Sequence, residues 1–383
     1  MKNSLQGHSE RYSLEADLDS LQRECHSVLM TTNDLETSAP PAVEPQRLAR
    51  WMNEQNLPGA GEVPHLSRLS GGSQNELYLV TQGDQRVVLR TPPAGSDAKR
   101  HDGLRREIAL LRALKGTDVP HAELVAGCDD ADVLGAPFYL MKEIDGWSPS
   151  GSEGWPASFN SDSNAKAPLA FGLVEGAALL SRVDWKARGL ADFGRPDGFH
   201  DRQVDRWLAF LKKYQFRELP GLEETSEWLR RNRPRQWEPG IMHGDYQFAN
   251  VMFSNHMPTS LAAVIDWEMT TIGDPLLDLG WALMSWGPEG DDMTASRYLN
   301  LDGMPARDDL LEHYERISGR STEDIDYYVI LARWKLAIVL EMSYARNASD
   351  GTVDPKFESF GAMILELMRK AAELSRTLTP RGN

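Results

Sequence analysis

IMHGDYQFANVMF at residues 241–253, followed by LAAVIDWEMTTIGDPLLDLGWAL at 261–283, is the stretch on which the reading of this chain turns. Polar residues interrupt apolar β-type runs at His243, Asp245, Asn250, Asp266, Asp274 and Asp278. Apolar neighbours in AAVIDW put the Asp266 carboxylate at the end of a buried strand, where an unpaired charge is disfavoured. A bound cation would resolve that cost. Phosphoryl transfer from ATP needs a metal that bridges phosphate oxygens, and Mg2+ prefers hard ligands such as a carboxylate and an amide oxygen. Asn250 and Asp266 supply that pair. The same reaction needs a carboxylate to orient the acceptor hydroxyl and take its proton, a few residues before the amide ligand, and Asp245 stands there.

Working towards the C-terminus, Asp274 and Pro275 read as the N-cap and first residue of an apolar helix that contains Asp278. Further helices are expected near 167–183, 200–214, 222–232, 307–317, 322–348 and 355–377. Towards the N-terminus the pattern changes. From about residue 46 it becomes short β-type runs, HLSRLSGG, NELYLVT and RVVLRTP, the last two separated by the turn residues Gln82-Gly83-Asp84. A helix over roughly 101–115 carries Leu104, Ile108, Leu111 and Leu114 at helical spacing, and Glu107 falls inside that apolar stripe. A carboxylate there demands a cationic partner. AELVAG and PFYLMKEI complete about five strands and one helix.

The organisation is therefore an N-terminal extension and linker (1–45), a sheet-rich small lobe (46–144), a flexible Gly/Ser/Pro-rich loop (145–166) and a larger helical lobe (167–383). That is an α+β class. Of the 383 residues 41% are hydrophobic and 26% charged, as in globular proteins. The formal charge of −16 repels a phosphate backbone or an anionic membrane, which argues against nucleic acid as a partner. Cys25 and Cys128 stand far apart with no metal-ligand spacing, so neither a disulfide framework nor a zinc site is indicated. The first twenty residues lack a signal-peptide apolar core, and the longest apolar stretch, Tyr327 to Ala332, is too short to span a bilayer. The expectation is a soluble, cytoplasmic protein without a membrane partner.

HGDxxxxN, the isoleucine-aspartate-tryptophan run and GDPxxDL, in that order, resemble the aminoglycoside phosphotransferase and choline kinase-like family over about residues 46–375. The resemblance implies a protein-kinase-like bilobal fold, ATP and Mg2+ as cofactors, and a small hydroxylated molecule as substrate. It makes Asp245 the catalytic base, Asn250 and Asp266 the magnesium ligands, and His243 and Asp278 supports of the catalytic loop. In the small lobe the family's strand lysine aligns with Arg90 and its helix partner with Glu107, which answers the buried-carboxylate requirement. Arginine stays a permanent cation but is not interchangeable with lysine. The loop with Gly71, Gly72 and Ser73 lies where backbone N–H groups approach phosphates, although it lacks a full GxGxxG pattern. FYLMKEIDG resembles the hinge between lobes, with Lys142 and Ile144 offering backbone groups to adenine and Met141 lining the pocket.

Within the family, LRTPP, IDWE and VDW…GLADFGRP at 183–196 resemble a subgroup of stand-alone bacterial proteins and of kinase-like domains fused to some acyl-CoA dehydrogenases. Leu180-Ser181 stands where that subgroup usually carries leucine-histidine. An aminoglycoside acceptor would call for carboxylates such as Asp291 and Asp292, whereas a hydroxyacyl-CoA acceptor would call for arginines in the helical lobe. A nucleotide-binding pseudokinase without turnover is the remaining alternative. Glu268 stays open between a plain loop acid and a group near the metal or substrate.

Overall fold

The computed structural model describes residues 43–59, 61–69, 75–149, 155–156, 159, 163–215, 217–286, 301, 303–348 and 355–378. The expectation of strands from about residue 46 gives way to a helix, Pro45–Glu54 (α1). Proline at its first position is preset for helical φ, and Leu48, Trp51 and Met52 recur at helical spacing on its buried face. That face lies on the small-lobe sheet, where Trp51 meets the Phe138 ring edge-on at 4.7 Å.

Five antiparallel strands follow: His65–Leu69 (β1), Glu76–Gln82 (β2), Gln85–Thr91 (β3), Leu124–Cys128 (β4) and Phe138–Lys142 (β5), in the order β1-β2-β3-β5-β4. Gln82 pairs with Gln85, so the β2–β3 turn is the dipeptide Gly83-Asp84, with Gly83 at φ 56° as a tight hairpin requires. Arg90 lies directly opposite Tyr139, which puts both side chains on one face of the sheet. Over that face runs Ala98–Leu114 (α2), whose N-terminus is capped by Asp97 through the Arg100 amide at 2.9 Å. Its buried stripe of Leu104, Ile108 and Leu111 belongs to the same core as the helical lobe, while a second core fills the α1 side of the sheet. A short helix, Ala131–Leu134 (α3), joins β4 to β5.

The helical lobe comprises Ala167–Ser181 (α4), Phe199–Leu211 (α5), Leu222–Arg231 (α6), Leu276–Ala282 (α7), Arg307–Ser318 (α8), Ile325–Ala348 (α9) and Pro355–Thr377 (α10). Every residue from Tyr327 to Met342 of α9 is buried, the mark of a helix at the centre of a lobe. Two small sheets set the geometry that matters for chemistry. Gly240–Met242 (β7) pairs with Thr271–Gly273 (β10), and Gly146–Trp147 (β6), Val251–Ser254 (β8) and Leu261–Val264 (β9) form a sheet in the order β6-β8-β9. The β7–β8 loop and the β9–β10 turn are thereby held side by side, because their flanking strands are hydrogen-bonded to each other.

The stretch expected as a flexible loop, 145–166, includes described elements. β6 lies within it, and Trp147 packs against Phe159 at 5.1 Å and Trp155 at 5.9 Å. The Val264 amide donates to the Pro120 carbonyl at 2.8 Å, tying the segment between α2 and β4 to the helical lobe. Among the described residues no helix is long and apolar enough to cross a membrane.

Candidate functional site

Asp245 and Asn250 lie in the β7–β8 loop, and Asp266 begins the β9–β10 turn. Asp245 is 2% exposed, and its carboxylate accepts from Gln247 Nε2 at Oδ1 and from Asn250 Nδ2 at Oδ2, both at 2.8 Å. Asn250 Nδ2 also donates to the Asp245 carbonyl at 2.8 Å. With its amide nitrogen spent there, Asn250 keeps its amide oxygen as the end that can face a ligand. The Ile265 amide donates to the Asn250 carbonyl at 2.9 Å, which delivers the next residue, Asp266, beside Asn250. Asp266 adopts φ 64° and ψ 67°, a left-handed conformation that costs an L-residue energy and turns the chain sharply at the strand end.

The loop backbone is pinned from behind. Asp278, in the first turn of α7, accepts the His243 amide at 2.5 Å and the Gly244 amide at 2.9 Å. Burial pushes the Asp278 carboxyl up to about 6, against the lowering influence of His243 and of those two amides. His243 is fully buried, and its Nε2 lies 2.8 Å from the Ile265 carbonyl, so the ring spans the two loops. Gly244 has φ 90°, and a Cβ there would meet the Met269 carbonyl oxygen at 2.6 Å. Helix α7 starts one residue later than expected. Asp274 still caps it through the Leu276 amide at 3.1 Å, and it also takes hydrogen bonds from His200 Nε2 at 2.8 Å and Tyr328 Oη at 2.5 Å.

Across the cleft, Arg90 links the two lobes. Its Nε is 3.0 Å from Glu107 Oε2 and its Nη2 donates to Asp266 Oδ1 at 3.2 Å. Burial pulls the guanidinium down, but Glu107, Tyr139, Asp266 and Glu268 together hold it well above its ordinary value. Glu107, 2% exposed, also accepts Tyr139 Oη at 3.0 Å and Asn75 Nδ2 at 3.5 Å. Glu268 is pushed well above the carboxylate range, first by burial and then by the charge of Asp266. Its Oε1 is buried with no hydrogen-bond partner. Such an atom calls for a proton or a cation.

Of the hinge residues, Met141 faces Val88 across the sheet, and the Lys142 amide donates to the Glu123 carbonyl at 2.9 Å, so that N–H is already committed. Ile144 is half-buried just past the end of β5. Gly71, Gly72, Ser73, Asp291 and Asp292 lie outside the described residues.

Sequence reasoning missed a cleft of about 340 Å³ behind the β9–β10 turn. Gly244 and Glu268 stand at it together with Arg106 of α2 and Arg202 and Arg206 of α5. The spacing of Arg202 and Arg206, one helical turn apart, was a readable signal that both share a face of α5.

Residues 65–316 match the model described as "Phosphotransferase enzyme family". Acyl-CoA dehydrogenase family member 11 of Gallus gallus is 28% identical over 337 residues, covering 84% of this chain and 42% of that protein. The human protein of the same name is 26% identical over 344 residues, covering 86% and 43%. The chain thus spans about two fifths of the length of these curated relatives. Among solved structures, a Ralstonia eutropha protein provisionally described as an aminoglycoside phosphotransferase matches with a TM-score of 0.73 and 26% identity, over 88% of this chain and 99% of that one. A thermostable mutant of aminoglycoside phosphotransferase APH(4)-Ia, in ternary complex with AMP-PNP and hygromycin B, shares the bilobal kinase-like fold with a TM-score of 0.52 at 13% identity, over 86% and 98%.

Proposed function

This chain belongs to the phosphotransferase enzyme family, and from that premise we propose that it transfers the γ-phosphoryl group of ATP to a hydroxyl of a small molecule, with Asp245 as the base. The observation that carries this reading is the meeting of Asp245, Asn250 and Asp266. Asn250 bonds the carboxylate of Asp245 on one side, and its carbonyl anchors the residue before Asp266 on the other. The donor set suits Mg2+: hard oxygens from one amide and one carboxylate, and two residues after Asp266 the half-buried Glu268 has its Oε1 buried without a hydrogen-bond partner. Asn250 and Asp266 would hold the ion, and Arg90 would face the phosphates. When bound, Mg-ATP supplies the phosphoryl group and the charge that neutralises it.

The chain's own residues do the rest. Asn250 and Gln247 fix the carboxylate of Asp245 in one orientation, so that an acceptor hydroxyl is oriented by it and gives up its proton there. Asp278 and His243 hold the loop that carries Asp245, which keeps the base in register with the metal-facing turn. Glu107 and Tyr139 set the direction of the Arg90 side chain.

The test is Mg2+-dependent ADP release from ATP over a panel of hydroxylated small molecules, run with the full chain and with Asp245→Asn. Loss of a general base lowers transfer by about 10²–10⁴-fold, and nucleotide binding should survive it. Equal transfer by both proteins removes the assignment of Asp245, and ATP binding with no transfer to any acceptor favours a pseudokinase.

A further inference from the structure

Resting on the phosphotransferase reading above, we infer that His200 and Tyr328 are positioning residues of the reaction, which hold the proposed base in place through Asp274 and the helix that starts beside it. Both act on one oxygen. His200 Nε2 at 2.8 Å and Tyr328 Oη at 2.5 Å donate to Asp274 Oδ2, while Oδ1 takes the Leu276 amide at 3.1 Å. Capping α7 uses the last of these bonds alone. The other two come from α5 and α9, so the start of α7 is fixed to two further helices.

Asp274 stands where both supports of the catalytic loop begin. On its N-terminal side, Gly273 of β10 pairs with Gly240 of β7, the strand that runs directly into His243. On its C-terminal side, Asp278 lies one helical turn along α7 and accepts the His243 and Gly244 amides, and Asp245 is the residue after them. A shift at Asp274 is therefore passed to the loop from two directions, through a paired strand and through a single turn of helix. Displacing a reacting group by about 1 Å can cost on the order of 100-fold in rate.

The grip is made of fixed parts. Asp274 is 1% exposed, and His200 and Tyr328 are buried with it. The His200 ring is enclosed by the rings of Phe199 and Trp237, both at 5.2 Å, and of Tyr327 and Tyr328, both at 5.7 Å, all meeting it edge to face, which leaves the imidazole little freedom to turn. An ionised carboxylate only accepts, so Nε2 carries the imidazole proton and the Tyr328 hydroxyl donates its own. Tyr328 also abuts α7 farther along, where a Cβ at Gly280 would meet the Tyr328 Cβ at 2.6 Å. A buried carboxylate needs donors for stability alone; the place of this one, at the root of both loop supports, ties its donors to the reaction.

The test measures amide hydrogen exchange at His243 and Gly244, together with kcat and KM for ATP, in the full chain and in its His200→Leu, His200→Gln and Tyr328→Phe variants. Exchange is referred to the Ile338 amide at the buried centre of α9, so that a change in global stability cancels. Losing a hydrogen bond to a charged group should speed exchange at His243 and Gly244 by about ten-fold beyond that at Ile338 in His200→Leu and in Tyr328→Phe. In both, kcat should fall by about 10- to 100-fold while KM for ATP stays unchanged. Glutamine offers a donor where the imidazole has Nε2, so His200→Gln should restore most of both losses. Should His200→Leu fail to fold, Tyr328→Phe, which keeps the ring and its packing, decides. Wild-type exchange at the two amides in Tyr328→Phe overturns the positioning role, and so does a His200→Gln protein that exchanges as fast as His200→Leu. The two readings fail differently. Faster exchange in the variants, with no turnover of any acceptor by the wild type, would sink the kinase reading and leave the hold on the loop standing. Wild-type turnover that the variants leave unchanged, with unchanged exchange, would sink the positioning role and leave the kinase reading.

Discussion

Asn250 Nδ2 donates at 2.8 Å to Asp245 Oδ2, so the amide that would hold the metal also sets the orientation of the base. Replacing Asn250 with alanine removes both services in one step. Gln247 keeps its own bond to Oδ1, so the carboxylate loses one of these two donors and not both. Asn250→Ala should need about 10- to 100-fold more Mg2+ for half-maximal turnover, by analogy with the loss of groups that orient metal ligands. A magnesium titration of ADP release measures it.

The ion pair between Arg90 and Glu107 gives a stability prediction with a built-in control. Glu107 is 2% exposed, so Arg90→Met strands a buried charge and should cost about 3–5 kcal/mol. The double variant Arg90→Met/Glu107→Leu removes the stranded charge and should recover most of that loss. Urea unfolding midpoints of the wild type, the single and the double variant decide it. A double variant as unstable as the single one would mean that packing, and not charge, sets the penalty.

Asp278 predicts a pH dependence. Its folded-state value of about 6 lies above the ordinary carboxylate value, so the folded form binds the proton more tightly. The group therefore contributes stability that is complete below the ordinary carboxylate range and is lost as pH rises through about 6. Asp278→Asn cannot titrate. The stability difference between wild type and Asp278→Asn, followed by unfolding from pH 4 to pH 7, should shift against the wild type by on the order of 2–3 kcal/mol. A difference that stays flat across that interval would contradict the assigned shift.

Gly244→Ala tests the backbone of the loop. A left-handed φ costs an L-residue about 1–2 kcal/mol, and the new Cβ would also press on the Met269 carbonyl. The variant should unfold at lower urea and, because Asp245 is the next residue, lose turnover beyond what its folded fraction explains. Parallel measurement of unfolding and ADP release at a temperature where it stays folded separates the two effects.

The chain wrote some of this site plainly and hid the rest. That Asn250 would stand against Asp245, with the Asp266 turn beside them, was readable from their spacing in the chain, and the roles proposed for them await the tests above. Glu107 was readable because a carboxylate inside an apolar stripe must find a cation, and Arg90 occupies that place. Asp274 was half readable: its capping of α7 follows from the Asp-Pro pair, but the hydrogen bonds from His200 and Tyr328 come from segments 74 and 54 residues away. The cleft behind the β9–β10 turn was harder still, since Arg106 comes from α2 and Arg202 and Arg206 from α5, and no local pattern joins the two helices there. Helix α1 is a short amphipathic piece whose helical state shows once its apolar face meets the sheet.

The pairing of Gly146 and Trp147 with Ser254 and Phe253 has a bearing on how the molecule opens. Strand β5 ends at Lys142 and β6 begins at Gly146, so three residues, Glu143 to Asp145, make up the whole free run of the crossing. Both ends of that run are tethered: Glu143 holds Arg86 at 2.6 Å, and Asp145 accepts Asn255 Nδ2 at 2.7 Å. A swing of one half against the other must bend at this tripeptide or unzip the little strand beyond it, so the crossing works as a stiff flexure with a small arc and not as a loose tether.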